Sequence, residues 1–129
     1  MKKVFSLGLL MSLLWSVQVM AQNGQKVEHL SAPDFKKTIE TVKLVLIDVR
    51  TPREYTTGHI ANAINIDQSD PDFAAKVKKQ IGKSTLIGVY CRSGHRSKMA
   101  ISKLSGLNVT IYELDRGLIS WQQANFLLK

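Results

Sequence analysis

Short apolar runs alternate with amphipathic ones along most of the chain. Leu44–Val49 is apolar at every position but Asp48, the pattern of a parallel strand covered on both faces. Thr85–Tyr90 is a second short run that reads as a buried strand. Val27–Leu30, Ala63–Ile66 and Val109–Tyr112 predict three more. Helical segments lie between them. Ser31 as N-cap, Pro33 in the first turn and Asp34 three residues on open a helix running to about Glu40. Pro52 begins a short helix stopped before Gly58. Asp70-Pro71-Asp72 caps a helix carrying Phe73, Val77 and Ile81 on one face and ending near Gly82. Ser97–Ser105 is the next, with Gly106 placed as its left-handed terminator. Leu118–Leu128 is the last, with Leu118, Trp121 and Leu128 facing the core. This alternation predicts an α/β three-layer domain: a central five-stranded, mostly parallel sheet with helices on both faces. In such sheets ligands bind beyond the carboxyl ends of strands.

The only cysteine, Cys91, stands at one of those ends. Arg92, Ser93, Gly94, His95 and Arg96 follow it, and then a helix begins. A helix start presents free backbone N–H groups, and together with nearby cations it favours thiolate over thiol. A structural cysteine would account for the strand before Cys91 but needs no anion-binding loop after it. The expected picture is a nucleophile at the mouth of a loop rather than in the central core. In it the N–H groups of residues 92–96 point at the sulfur, Gly94 lets the loop curl, and Ser97 caps the next helix. Arg92 and Arg96 either bind an anion or stabilise the loop. His95 tunes the field, since thiolate attack needs no general base. Asp48 and Arg50 follow another strand end, where an ion pair holding Pro52–Tyr55 and the adjoining loop is expected. No Cys-x-x-Cys or His-x-x-x-His spacing supports a metal site, and no cofactor is expected.

The amino end changes the compartment. Met1–Lys3 is positive, Val4–Val17 is apolar, and Val19-Met20-Ala21 is a small-x-small site. This layout predicts a signal peptide over residues 1–21, cleaved after Ala21, and a domain over 22–129. The apolar stretch is short for a membrane span, so no stable insertion is expected after cleavage. The formal charge of +8 is spread over scattered lysines. It reads as solubility and attraction for small anions rather than nucleic-acid binding. Nothing suggests a coiled coil, and a monomer is expected.

Three blocks resemble the single-domain rhodaneses, the thiosulfate sulfurtransferases, over about Glu28–Trp121. The first is Leu46–Tyr55 followed by Gly58-His59-Ile60. The second is Cys91–Arg96 with Ser97, and the third is Tyr112–Trp121. With the leader, the chain is similar to the small periplasmic rhodaneses of Gram-negative bacteria, which implies a periplasmic location. The resemblance implies a two-step transfer. Cys91 thiolate takes the outer sulfur of thiosulfate, sulfite leaves, and the persulfide passes its sulfur to a thiophilic acceptor, cyanide or a thiol. It implies that Arg92, Ser93, Gly94, His95, Arg96 and Ser97 form the substrate loop, with Asp48 and Arg50 in support.

The chain departs from the family at two places. Arg116 stands where the first glycine of a Gly-Gly pair is usual. A positive φ there would be strained, and the side chain adds a cation near the pocket mouth. Asn62 replaces another frequent glycine and tolerates the left-handed region. Two other functions compete: a persulfide carrier between proteins, and a same-fold cysteine phosphatase or arsenate reductase. Cys91 and Arg96 enclose four residues, one fewer than in such phosphatase loops; the family resemblance implies that the shorter loop fits a sulfur atom better than a tetrahedral phosphate.

Overall fold

The structure, a computed structural model, describes residues 24–129, so the leader expected over residues 1–21 lies outside the described residues. The strands are β1 (Lys26–Leu30), β2 (Val45–Asp48), β3 (Ile64–Asn65), β4 (Leu86–Tyr90) and β5 (Thr110–Leu114). The helices are α1 (Ala32–Thr41), α2 (Pro52–Thr57), α3 (Phe73–Ile81), α4 (His95–Lys103) and α5 (Gly117–Gln123). The sheet order is β1-β5-β4-β2-β3. Every pairing is parallel, which sharpens the expected "mostly parallel" sheet. Parallel neighbours require crossovers, and the intervening helices supply them.

Side-chain alternation divides the core into two layers. On one face Ile47, Val49, Ile87, Val89 and Ile111 pack with Phe73, Val77 and Ile81 of α3 and Ala100 of α4. On the other, Leu46, Tyr90 and Leu114 pack with Phe35 of α1 and Leu118 and Trp121 of α5. Gly88 leaves room for Leu46: a Cβ there would lie 3.0 Å from Leu46 Cδ1, so a side chain at this position requires Leu46 to shift. Phe73 and Trp121 are thus core residues, as their spacing predicts.

Several local expectations are corrected. α4 starts at His95, with Gly94 as its N-cap, so Ser97 lies inside the first turn and is not the cap. The helix ends at Lys103 through turns in which Leu104 N–H donates to Ile101 O and Leu107 N–H to Leu104 O. Gly106 is not among the positive-φ residues and terminates nothing. α5 ends at Gln123; Asn125 takes φ 61° and the tail folds back so that Trp121 Nε1 donates to Leu127 O at 3.0 Å. Leu128 therefore reaches the core from the tail rather than from a helix. β3 is two residues, not four. Asp72 makes no side-chain cap; Asp70 Oδ1 instead accepts Asp72 N–H at 3.0 Å. Ser31 does cap α1, accepting from Asp34 N–H at 3.4 Å.

Candidate active site

β4 is the middle strand of the sheet, and Cys91 follows its carboxyl end. The sulfur-bearing residue is fully buried and belongs to the α3/α4 core layer, which corrects the expectation of a side chain at the loop mouth. Of the N–H groups of residues 92–96 expected to point at the sulfur, only that of Gly94 donates to Sγ, at 3.1 Å. Sγ in turn donates to Ser97 Oγ at 3.6 Å. Gly94 holds φ 96°, and a Cβ there would lie 3.2 Å from Arg116 N, so glycine is required both by conformation and by space.

The loop is held from behind by α5. Leu118 N–H donates to Cys91 O and Ile119 N–H to Arg92 O, each at 3.0 Å. These are free amides of a helix start, and they draw two loop carbonyls away from the sulfur. Gly117 makes the approach feasible: a Cβ on it would sit 2.4 Å from Cys91 O. Arg116 precedes it at φ 61°, so the strained position read from the sequence exists, and its side chain is exposed.

On the β2 side the expected ion pair forms. Arg50 Nε donates to both Asp48 carboxylate oxygens at 3.0 Å, and Nη2 donates to Oδ2 at 2.6 Å. Nη2 also donates to Gly58 O at 2.6 Å, fastening the turn after α2. Both side chains are buried. Burial works against the Arg50 charge, but the hydrogen bonds and charge of Asp48 prevail and hold its pKa above the ordinary value. Tyr90 beside them is pushed up, first by burial and then by the Asp48 charge; its hydroxyl accepts Ile60 N–H at 3.0 Å.

The Arg96 guanidinium is engaged by Glu54. Its Nη1 and Nη2 donate to Glu54 Oε1 and Oε2 at 2.7 and 2.8 Å, a fork-to-fork pair tying α4 to α2. The Arg96 hydrogen bonds lower the Glu54 pKa to about 2, with Thr51 assisting. Glu54 was not singled out in the sequence, although Thr51-x-x-Glu54 is a capping box: Thr51 Oγ1 accepts Glu54 N–H at 3.2 Å.

Ser97 is fully buried, and its single hydroxyl proton has Gly94 O at 3.0 Å and Glu113 Oε2 as alternative acceptors. Glu113, on β5, is a second residue that the sequence reading passed over. The signal for it was an acid at the core-facing end of the Val109, Ile111, Glu113 alternation. Arg92, Ser93 and His95 are placed around the loop, Arg92 and His95 exposed, and Lys98 stands at its edge. The structure therefore places Cys91 with the loop 92–97 and the Asp48–Arg50 pair at the carboxyl ends of two neighbouring strands, β4 and β2. Among the described residues no group of three acids, histidines or cysteines is placed to hold a metal ion.

A family model described as "Rhodanese-like domain" matches residues 31–124. A rhodanese-related protein from Thermoplasma volcanium superposes with TM-score 0.67 at 30% identity, over 81% of this chain and 97% of that one. The chloroplast protein thiosulfate sulfurtransferase 16 of Arabidopsis thaliana is 34% identical over 58% of this chain and 71% of its own length. A tRNA uridine(34) hydroxylase of Chlamydia abortus is 29% identical over 75% of this chain, which spans only 32% of that protein. An uncharacterised Synechocystis protein is 32% identical over 81% of this chain, which spans 58% of it.

Proposed function

Because this chain belongs to the rhodanese-like domain family, we propose that it is a sulfurtransferase that moves sulfane sulfur from thiosulfate to a thiophilic acceptor through a Cys91 persulfide. The observation that carries the reading is the Gly94 N–H aimed at a cysteine sulfur 3.1 Å away, at the head of a helix. An amide and a helix start are suited to an anionic sulfur, as nucleophile and as the inner atom of a persulfide. In the first half-reaction Cys91 Sγ bonds to the outer sulfur of thiosulfate while that sulfur's bond to the sulfonate breaks. Sulfite leaves with the bonding pair. In the second, cyanide or a thiolate takes the terminal sulfur and the Cys91 thiolate returns with its electron pair. The split into two displacements gives ping-pong kinetics.

Exposed Arg92 and Arg116 give the loop surroundings a positive charge that suits a dianionic donor. Arg96 serves the loop through its Glu54 pair. Export to the periplasm is part of the same proposal and is supported by the leader-like pattern of residues 1–21.

The test is the intact mass of the protein before thiosulfate, after it, and after added cyanide. We expect a gain of one sulfur atom that cyanide removes and that Cys91→Ala never acquires. An equal gain in Cys91→Ala overturns the mechanism. A persulfide that forms from protein donors but not from thiosulfate replaces the enzyme with the carrier reading.

A further inference from the structure

Glu113 is fully buried beside the nucleophile's loop, and sulfur transfer as written gives it no task. Sheet register sets it between His29 of β1 and Val89 of β4, two residues before Cys91. Its Oε1 meets His29 Nδ1 at 2.5 Å, and its Oε2 accepts the Ser97 hydroxyl. Lys98 Nζ lies 3.4 and 3.5 Å from the two oxygens and 3.7 Å from Asp115. The groups facing Glu113 are thus His29 from β1, Ser97 and Lys98 from α4, and Cys91 beyond Ser97, with Asp115 on the far side of Lys98.

The Ser97 hydroxyl carries one proton and has two acceptors competing for it, Glu113 Oε2 and Gly94 O, while Cys91 Sγ donates to its oxygen at 3.6 Å. A carboxylate is a stronger acceptor than a carbonyl. With the proton committed to Glu113, Ser97 turns a lone pair toward Sγ, and that site suits the S–H of a neutral thiol. The buried negative charge of Glu113 works in the same direction. Gly94 N–H, the start of α4 and the positive charge of Arg96 work in the other.

We propose that Glu113, acting through Ser97, holds Cys91 toward the neutral thiol and thereby sets how much thiolate is present at a given pH. It is a positioning residue and touches no reacting atom. A neutral thiol is the form less open to oxidation, so the carboxylate keeps the resting nucleophile in reserve. The inference rests on Cys91 being the nucleophile, but its test needs no sulfur donor.

The experiment is the ultraviolet thiolate absorbance of the full chain against pH, with Cys91→Ala as the blank. Glu113→Gln keeps shape and removes the charge. We expect its midpoint at lower pH, with about threefold to tenfold more thiolate at a fixed pH below the midpoint, the effect of exchanging one hydrogen bond. Ser97→Ala removes the S–H acceptor while leaving Glu113 on His29 and Lys98, and its midpoint moves the same way. Added to Ser97→Ala, the Glu113→Gln substitution gives a smaller shift than it gives alone. An unchanged or raised midpoint in Glu113→Gln overturns the proposal. So does a raised midpoint in Ser97→Ala, which would mean that Ser97 donates to the thiolate; should the Glu113→Gln variant fail to fold, Ser97→Ala decides alone. Absence of a persulfide with these shifts intact would refute sulfur transfer and leave the control by Glu113 standing.

Discussion

The loop that carries Cys91 has an ionic cluster on either flank, and the two are built from different chemistry. On the β2 side, Asp48 pairs with Arg50 and Glu54 with Arg96, both through guanidinium groups. A guanidinium does not release its proton in a protein, and its fork fixes the angle of approach. On the β5 side, Glu113 meets an imidazole, an ammonium and a hydroxyl, each of which can redirect or exchange a proton. The first flank is a frame: it ties β2, α2, the Gly58 turn and α4 together. The second is adjustable and reaches the sulfur through Ser97. The two flanks make different demands on the sequence.

The largest expected effect breaks the frame. Arg50→Ala leaves Asp48 as a buried charge without its partner and frees the Gly58 carbonyl. Loss of one member of a buried pair costs about 3–5 kcal/mol. Urea unfolding should show that loss, and a change below about 1 kcal/mol would mean that the pair does not hold the fold together. The adjustable flank should respond otherwise: Ser97→Ala is expected to lower the thiolate midpoint, with a stability loss of about 1–3 kcal/mol for the buried acceptors it leaves unpaired.

How much of this was legible in the chain follows from the range of each interaction. The strands were readable because a parallel strand covered on both faces leaves a run of apolar residues, as in Leu44–Val49. Cys91 and its loop were readable because cysteine, glycine and cations follow one another closely in the chain. Asp48 and Arg50 bond two residues apart, so their pairing was also local. Glu54 with Arg96 and Glu113 with Ser97 are 42 and 16 residues apart, and only the order of strands brings them together. The misplaced cap has a smaller cause. By residue type Ser97 reads as the helix cap, but Gly94 at φ 96° allows α4 to begin two residues earlier, which turns the serine inward.

A smaller effect separates the flanks by acid. The Arg96 hydrogen bonds hold Glu54 at about 2, against 4.5 for a free glutamate. A depressed carboxyl contributes stability that is fully present above its unfolded value and is lost as pH falls through the folded one. The Glu54–Arg96 pair should therefore weaken between pH 4.5 and about 2. Stability measured in urea across that range should fall more steeply for the parent chain than for Glu54→Gln. Equal slopes would show that the pair, which is partly open to solvent, adds no net stability.

The smallest effect concerns Arg116, which lies at the seam between the loop and α5. A left-handed conformation costs a side-chain-bearing residue roughly 1 kcal/mol that glycine avoids. Arg116→Gly should therefore raise stability slightly, by about 0.5–1 kcal/mol, offset in part by the freedom that glycine gains when unfolded. It also removes an exposed cation whose backbone N is 3.2 Å from where a Cβ on Gly94 would stand. If that charge helps to draw in a dianion, the variant should need about twofold more thiosulfate for half-maximal persulfide, with uptake from an uncharged sulfane donor unchanged. Equal change with both donors would assign Arg116 to the shape of the loop instead. Its strain would then be the cost of holding Gly117 against Cys91 rather than of binding an anion.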